Sequence, residues 1–122
     1  MVEALEERAR EQERLIGLAR TYVESLALRV HVLAAVVVGS VARGDFNMWS
    51  DVDVVVVAES LPERAPERGR VLAEDAPGGV QPVGFTRTEF EAAVERGSPL
   101  ATEAASAGFV LLGAEFLASG AS

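Results

Sequence analysis

GSVARGDFNMWSDVDVVVV, from Gly39 to Val57, is the stretch on which the reading of the whole chain turns. It sets two aspartates, Asp51 and Asp53, one residue apart at the head of a valine run. In a strand, successive side chains leave from opposite faces, so Asp51 and Asp53 share one face while Val52, Val54 and Val56 take the other. Two carboxylates on one face can converge on one cation or a close pair. At the margin of a dry core they are costly unless water, metal or a cationic partner compensates them. The same Asp-x-Asp pattern also describes a turn cap followed by a solvated strand end. The residues upstream therefore have to carry part of the argument.

Upstream, VHVLAAVVVG is dense in β-branched residues and reads as a buried strand, with Gly39 letting the backbone turn sharply at its end. Ser40 begins a short helix, whose N-terminus would offer unpaired N–H groups and a hydroxyl to phosphate oxygens, with Arg43 and Gly44 following. Gly39 and Gly44 have the spacing of a P-loop, but Asp45 stands where its lysine belongs, which excludes that motif. Taken singly, Gly39 is a tight turn and Arg43 a surface ion pair. Only the set points to phosphate.

Outward from this stretch, Val2 to Arg29 has helical periodicity, with Leu5, Ala9, Leu15, Ala19, Tyr22, Leu26 and Val30 near one stripe. DVDVVVVA is the second strand, and a short helix after it includes Arg70 to Glu74. GVQPVGF is a third strand, whose Pro82 assigns it to a sheet edge or a bulge. Thr86 to Glu89 form a capping box, Phe85 and Phe90 a hydrophobic staple, and a helix runs from Arg87 to about Arg96. Gly97 ends that helix. Ser98 and Pro99 open another that continues to Gly108, and FVLLG is a last short strand. The tail, residues 114–122, is expected to give at most one helical turn before fraying. The sum is an α/β (α+β) domain over residues 1–122, a small mixed sheet packed against helices.

Composition narrows the function. Nineteen acidic against eleven basic residues give a net charge of −8, which disfavours nucleic acid as a partner. There is no cysteine, so disulfide scaffolds and thiolate metal sites are excluded. His31 is the single histidine; it reads as a surface or packing residue, and a multi-histidine metal centre cannot be built within one chain. Oxygen ligands remain, and these suit magnesium or manganese. The charged start MVEALEERAREQERL is unlike a targeting segment and no apolar run is long enough to span a bilayer, so a cytoplasmic location is expected.

Gly39, Ser40, Ala42, Arg43 and Gly44, followed by Ser50, Asp51 and Asp53, together resemble the signature of the nucleotidyltransferase superfamily typified by DNA polymerase beta. The likeness is greatest to its minimal, single-domain bacterial and archaeal members. TRTEF at Thr86–Phe90 and SPLATEAASAGFVLLG at Ser98–Gly113 also look like those proteins, so the resemblance covers almost the whole chain. It implies transfer of a nucleoside monophosphate from a triphosphate, usually ATP, to a hydroxyl, with pyrophosphate leaving. Ser40 and the turn after Gly39 would hold the β- and γ-phosphates, Asp51 and Asp53 would ligate two magnesium ions, and Ser50 would fix the turn before Asp51. Arg43 would either stabilise charge near the phosphates or make a structural pair. Trp49 and Met48, in the loop, would stack on a base or face a partner, with Trp49 covering the core end as the plainer alternative.

The chain departs from that family at one point. Active members supply a third carboxylate from a later strand, and the matching position is Gln81, an amide that cannot act as a carboxylate ligand. Glu74 and Asp75 are the nearby acids that could substitute, though both read more plainly as solubilising a helix end. The resemblance further implies a HEPN-domain protein as partner, in many pairs a toxin neutralised by attachment of AMP. The alternative is a binding module that kept the fold and holds the HEPN partner without catalysis. The long first helix and the exposed third strand are the surfaces for that partner or for a homodimer.

Overall fold

The structure, a computed structural model, describes residues 2–47 and 49–120. Its elements run α1 (Val2–Leu26), β1 (Val32–Val38), α2 (Gly39–Arg43), β2 (Val52–Ala58), α3 (Ala65–Ala73), β3 (Val80–Thr86), α4 (Arg87–Glu95), α5 (Pro99–Ser106), β4 (Phe109–Leu112) and α6 (Ala114–Gly120). The sheet order is β3-β2-β1-β4. β1 is antiparallel to both β2 and β4, while β2 and β3 are parallel and joined through α3. The mixed α/β fold expected from the sequence is therefore the fold observed. Pro82 lies on the edge strand β3, the kind of position to which proline is confined in sheets.

The valine and alanine runs of β1 and β2 occupy the sheet centre because both faces are covered. Ala35, Val37, Val52, Val54 and Val56 face a core built with Leu15, Ala19, Tyr22, Val23 and Leu26 of α1 and Leu72 of α3. Ala34, Val36, Val38, Val55 and Val57 face a second core made by Phe90 and Ala93 of α4, Ala101 and Ala104 of α5, and Leu117 of α6. In the first core the Tyr22 hydroxyl donates to the Leu72 carbonyl at 2.8 Å, fastening α3 to α1. Burial, reinforced by the nearby Asp75 carboxylate, pushes that phenol up to about 12.

α1 is longer than the sheet it packs on. At about 1.5 Å per residue its 25 residues span about 37 Å, against roughly 23 Å for a seven-residue strand. Its buried residues accordingly begin at Leu15, and Leu5, placed on the apolar stripe by periodicity, stands 62 % exposed. The residues Ala27 to Arg29, which the same periodicity assigned to the helix, form a turn bonded back to Val23, Ser25 and Leu26.

The capping box at Thr86 and Glu89 is present in both directions, and the Phe85 and Phe90 rings meet edge to face at 5.8 Å. Ser98 stands at the N-cap of α5 but makes no capping hydrogen bond through its side chain. The tail corrects the expectation of a single turn: Ala114–Gly120 is a seven-residue helix. Leu117 is buried in the second core beside Phe90, so tertiary burial stabilises a segment too short to be helical alone.

Candidate active site

The antiparallel pairing of β1 with β2 sets the end of one strand beside the start of the other, with Val38 opposite Asp53. Gly39 therefore turns away immediately next to the Asp53 carboxylate. Its φ is +75°, and a Cβ at this position would lie 2.8 Å from Asp53 Oδ2. Glycine suits this position twice: its φ favours glycine, and a Cβ would displace the Asp53 carboxylate. α2 follows at once and closes at Gly44, φ +85°, whose N–H donates to the Ser40 carbonyl at 2.9 Å.

The overhanging half of α1 braces this segment. Gln12 Nε2 donates to the Val41 carbonyl at 2.7 Å, and Arg8 Nε donates to the Gly44 carbonyl at 3.0 Å. Arg8 also donates to the Phe46 carbonyl, with its guanidinium 4.6 Å from the centre of the Phe46 ring. Both lie off the apolar stripe of this helix. Their four-residue spacing puts them on one helical face, but nothing in the sequence says what that face meets.

Ser50 fixes the turn before Asp51, as expected: its Oγ accepts from the Asn47 N–H at 2.9 Å and its own N–H donates to the Asn47 carbonyl at 3.0 Å. Trp49 does not cover the core end; it is 85 % exposed in this loop, and Met48 lies outside the described residues.

Asp51 is exposed and Asp53 half-buried. Val52, Val54 and Val56 point into the α1 core, so alternation turns Asp53, with Asp51, toward the face covered by α4 and α5. Burial first, then the charges of Asp51 and Glu103, raise the Asp53 carboxyl above its ordinary range, and Arg43 opposes them. Arg43 itself pairs with Asp45 at 3.3 Å and with Glu103 at 3.5 Å. Glu103, on α5, accepts the Gly39 N–H at 2.7 Å.

Glu103 was missed at the sequence level, although a signal was present. It is the single ionisable side chain in PLATEAAS, between the buried Ala101 and Ala104. Gln81 stands opposite Asp53 on the neighbouring strand β3 and is exposed. Glu74 and Asp75 do not join the site. Both pair with Arg29 at the end of α3, which packs with α1 on the other face of the sheet.

The donor chemistry fits a hard divalent cation: carboxylate oxygens predominate, and Arg43 is the cation set among them. Among the described residues no three acidic or histidine side chains lie close enough to form a cage of protein ligands. A magnesium ion held by Asp51 and Asp53 would keep waters and take substrate phosphate oxygens beside those carboxylates. Among the described residues no helix is long and apolar enough to cross a membrane.

The family model of a nucleotidyltransferase domain matches residues 18–100, which include Gly39, Ser40, Asp51, Asp53 and Gln81. The fold is similar to the 1.40 Å crystal structure of a Sulfolobus solfataricus protein provisionally designated a nucleotidyltransferase. That likeness has a TM-score of 0.61 and 25 % identity, over 73 % of this chain and 78 % of the other. No curated protein matches the chain. With the match extending from the middle of α1 to the start of α5, over more than half of its length, the chain belongs to the nucleotidyltransferase domain family.

Proposed function

We propose that the protein transfers AMP from ATP, with Mg²⁺ or Mn²⁺, to a hydroxyl of a partner protein. The observation that carries this reading is the close approach of Gly39 to Asp53, which sets the glycine-serine turn beside the second aspartate of the pair. Backbone N–H groups of the turn and the Ser40 hydroxyl engage the β- and γ-phosphates. Asp51 and Asp53 hold the divalent cation, which would neutralise the triphosphate and lower the pKa of the attacking hydroxyl. Arg43, half-exposed at the cleft, offers positive charge to the phosphates once it leaves Asp45. Ser50 keeps Asp51 at the strand start by closing the turn on Asn47.

The net charge of −8 repels nucleic acid, which leaves a protein or a small molecule as the acceptor, and the exposed apolar side chains favour the protein. Val2 and Leu5 on the overhang of α1, and Trp49 beside the cleft, are exposed apolar side chains available to a partner such as a HEPN-domain protein or a second copy. Gln81 supports a second reading, a binding module with weak or no catalysis, because it brings an amide to the flank of Asp53 where a third carboxylate would assist.

Transfer from ATP labelled at the α-phosphate onto the HEPN-like product of a neighbouring gene separates the two. The enzyme reading expects label on the partner that disappears with D53N and increases with Q81E. A tight complex without label in either protein makes the binding module the better account.

A further inference from the structure

Glu103 is not part of the signature, yet its carboxylate holds two groups that the nucleotide would need. One oxygen, Oε2, accepts the Gly39 N–H at 2.7 Å and lies 3.5 Å from Nη1 of Arg43. A charge-assisted bond of this kind is stronger than one between neutral groups. The side chain is only 26 % exposed, and α5 is anchored through Ala101 and Ala104 in the second core.

Its place relative to Asp53 distinguishes it from a substitute for the missing third carboxylate. Asp53 has Val38 of β1 on one side and Gln81 of β3 on the other. Glu103 approaches from the β1 side, at the turn after Val38, whereas the flank open to a third acid is the β3 side. Glu103 therefore stands with the turn and the arginine, where negative charge from a phosphate would come.

We propose that Glu103 is a positioning residue acting as an internal stand-in for phosphate: it occupies the Gly39 N–H and Arg43 while the site is empty and must yield them when a triphosphate binds. This rests on the reading of the cleft as a nucleotide site. The carboxylate keeps the turn and Arg43 in order, and by competing with the incoming anion it lowers the affinity for nucleotide. Displacing it frees one of the polar ties between α5 and the sheet end, so binding loosens α5.

The test uses the full chain and two probes, Mg·ATP and Mg·tripolyphosphate, by calorimetry. Removing the competing charge with E103Q, or the contact with E103A, is expected to tighten tripolyphosphate binding about tenfold or more, the scale of one charge-assisted hydrogen bond. E24Q, which removes the same charge from an exposed site on α1, should change it less than about twofold, the scale of a screened surface charge. A merely structural tie predicts the reverse, since loosening the turn weakens binding. Equal or weaker tripolyphosphate binding by E103Q, with Mg·ATP binding by the wild type intact, overturns the stand-in role alone. Failure of the wild type to bind Mg·ATP overturns the nucleotide-site reading beneath it.

Discussion

A methyl group added at residue 39 would meet Oδ2 of Asp53 at 2.8 Å, so a side chain there would push the Asp53 carboxylate out of its place. The signature's two halves are thus joined by a steric condition as well as by sequence spacing. The turn has to pass where the carboxylate already is.

Replacing Gly39 by alanine should consequently damage fold and site together. An alanine at φ +75° costs about 1–2 kcal/mol before the contact with Asp53 is counted. Urea unfolding is expected to show a loss of at least that size, and Mg·ATP binding should weaken with it. Full stability in G39A would show that the turn relaxes freely and that the fit is not a constraint.

Asp53 gives a prediction of opposite sign. Its carboxyl is raised by burial and by the charges of Asp51 and Glu103. A folded-state pKa above the unfolded value means that the folded chain binds the proton more tightly. The stabilisation is complete below the unfolded value near 3.8 and is lost as pH rises through the raised folded value. At pH 7 the ionised group is therefore a burden, and D53N should melt higher than the wild type, by a margin that solvent screening of the half-buried carboxylate keeps small. The gap should close as pH falls through the carboxylate range. Melting curves from pH 4 to 8 check this, and a D53N variant no more stable than wild type at pH 7 would refute it.

Arg8 tests whether the overhang of α1 serves the site. Its bonds to the carbonyls of Gly44 and Phe46, and its stacking on the Phe46 ring, tie the helix to the loop that leads to Asp51. R8A should cost about 1–2 kcal/mol, combining lost hydrogen bonds to a charged donor with the cation–π contact. Amide exchange should accelerate first at Gly44 to Asn47. Uniform acceleration over the chain would mean that Arg8 supports the whole domain and not this loop in particular.

These residues also mark what was legible in the sequence. The valine runs, the capping box at Thr86 and Glu89, and the edge strand with Pro82 depend on local rules, and each is found where those rules put it. Asp51, Asp53, Gly39 and Ser40 were identifiable for the same reason, being close in sequence. Arg8, Gln12 and Glu103 were not, because their partners lie 29 to 64 positions away and are backbone groups without a residue-type signal. The helix over Ala114–Gly120 escaped notice because its stability comes from Leu117 packing in the second core. Strand order, which brings Gln81 beside Asp53, was equally beyond local pattern.

The central claim is that Gly39, Ser40, Asp51 and Asp53 form one site for a nucleoside triphosphate and a divalent cation. Without the cation, the ionised aspartates repel the triphosphate. Calorimetric titration of ATP in the presence of Mg²⁺ and again in EDTA measures this directly. The account predicts binding in Mg²⁺, at least tenfold weaker in EDTA, the scale of removing a divalent counter-charge from the carboxylates, and abolished in the D51N/D53N double variant. ATP binding of equal strength in EDTA, or unchanged in the double variant, would contradict it.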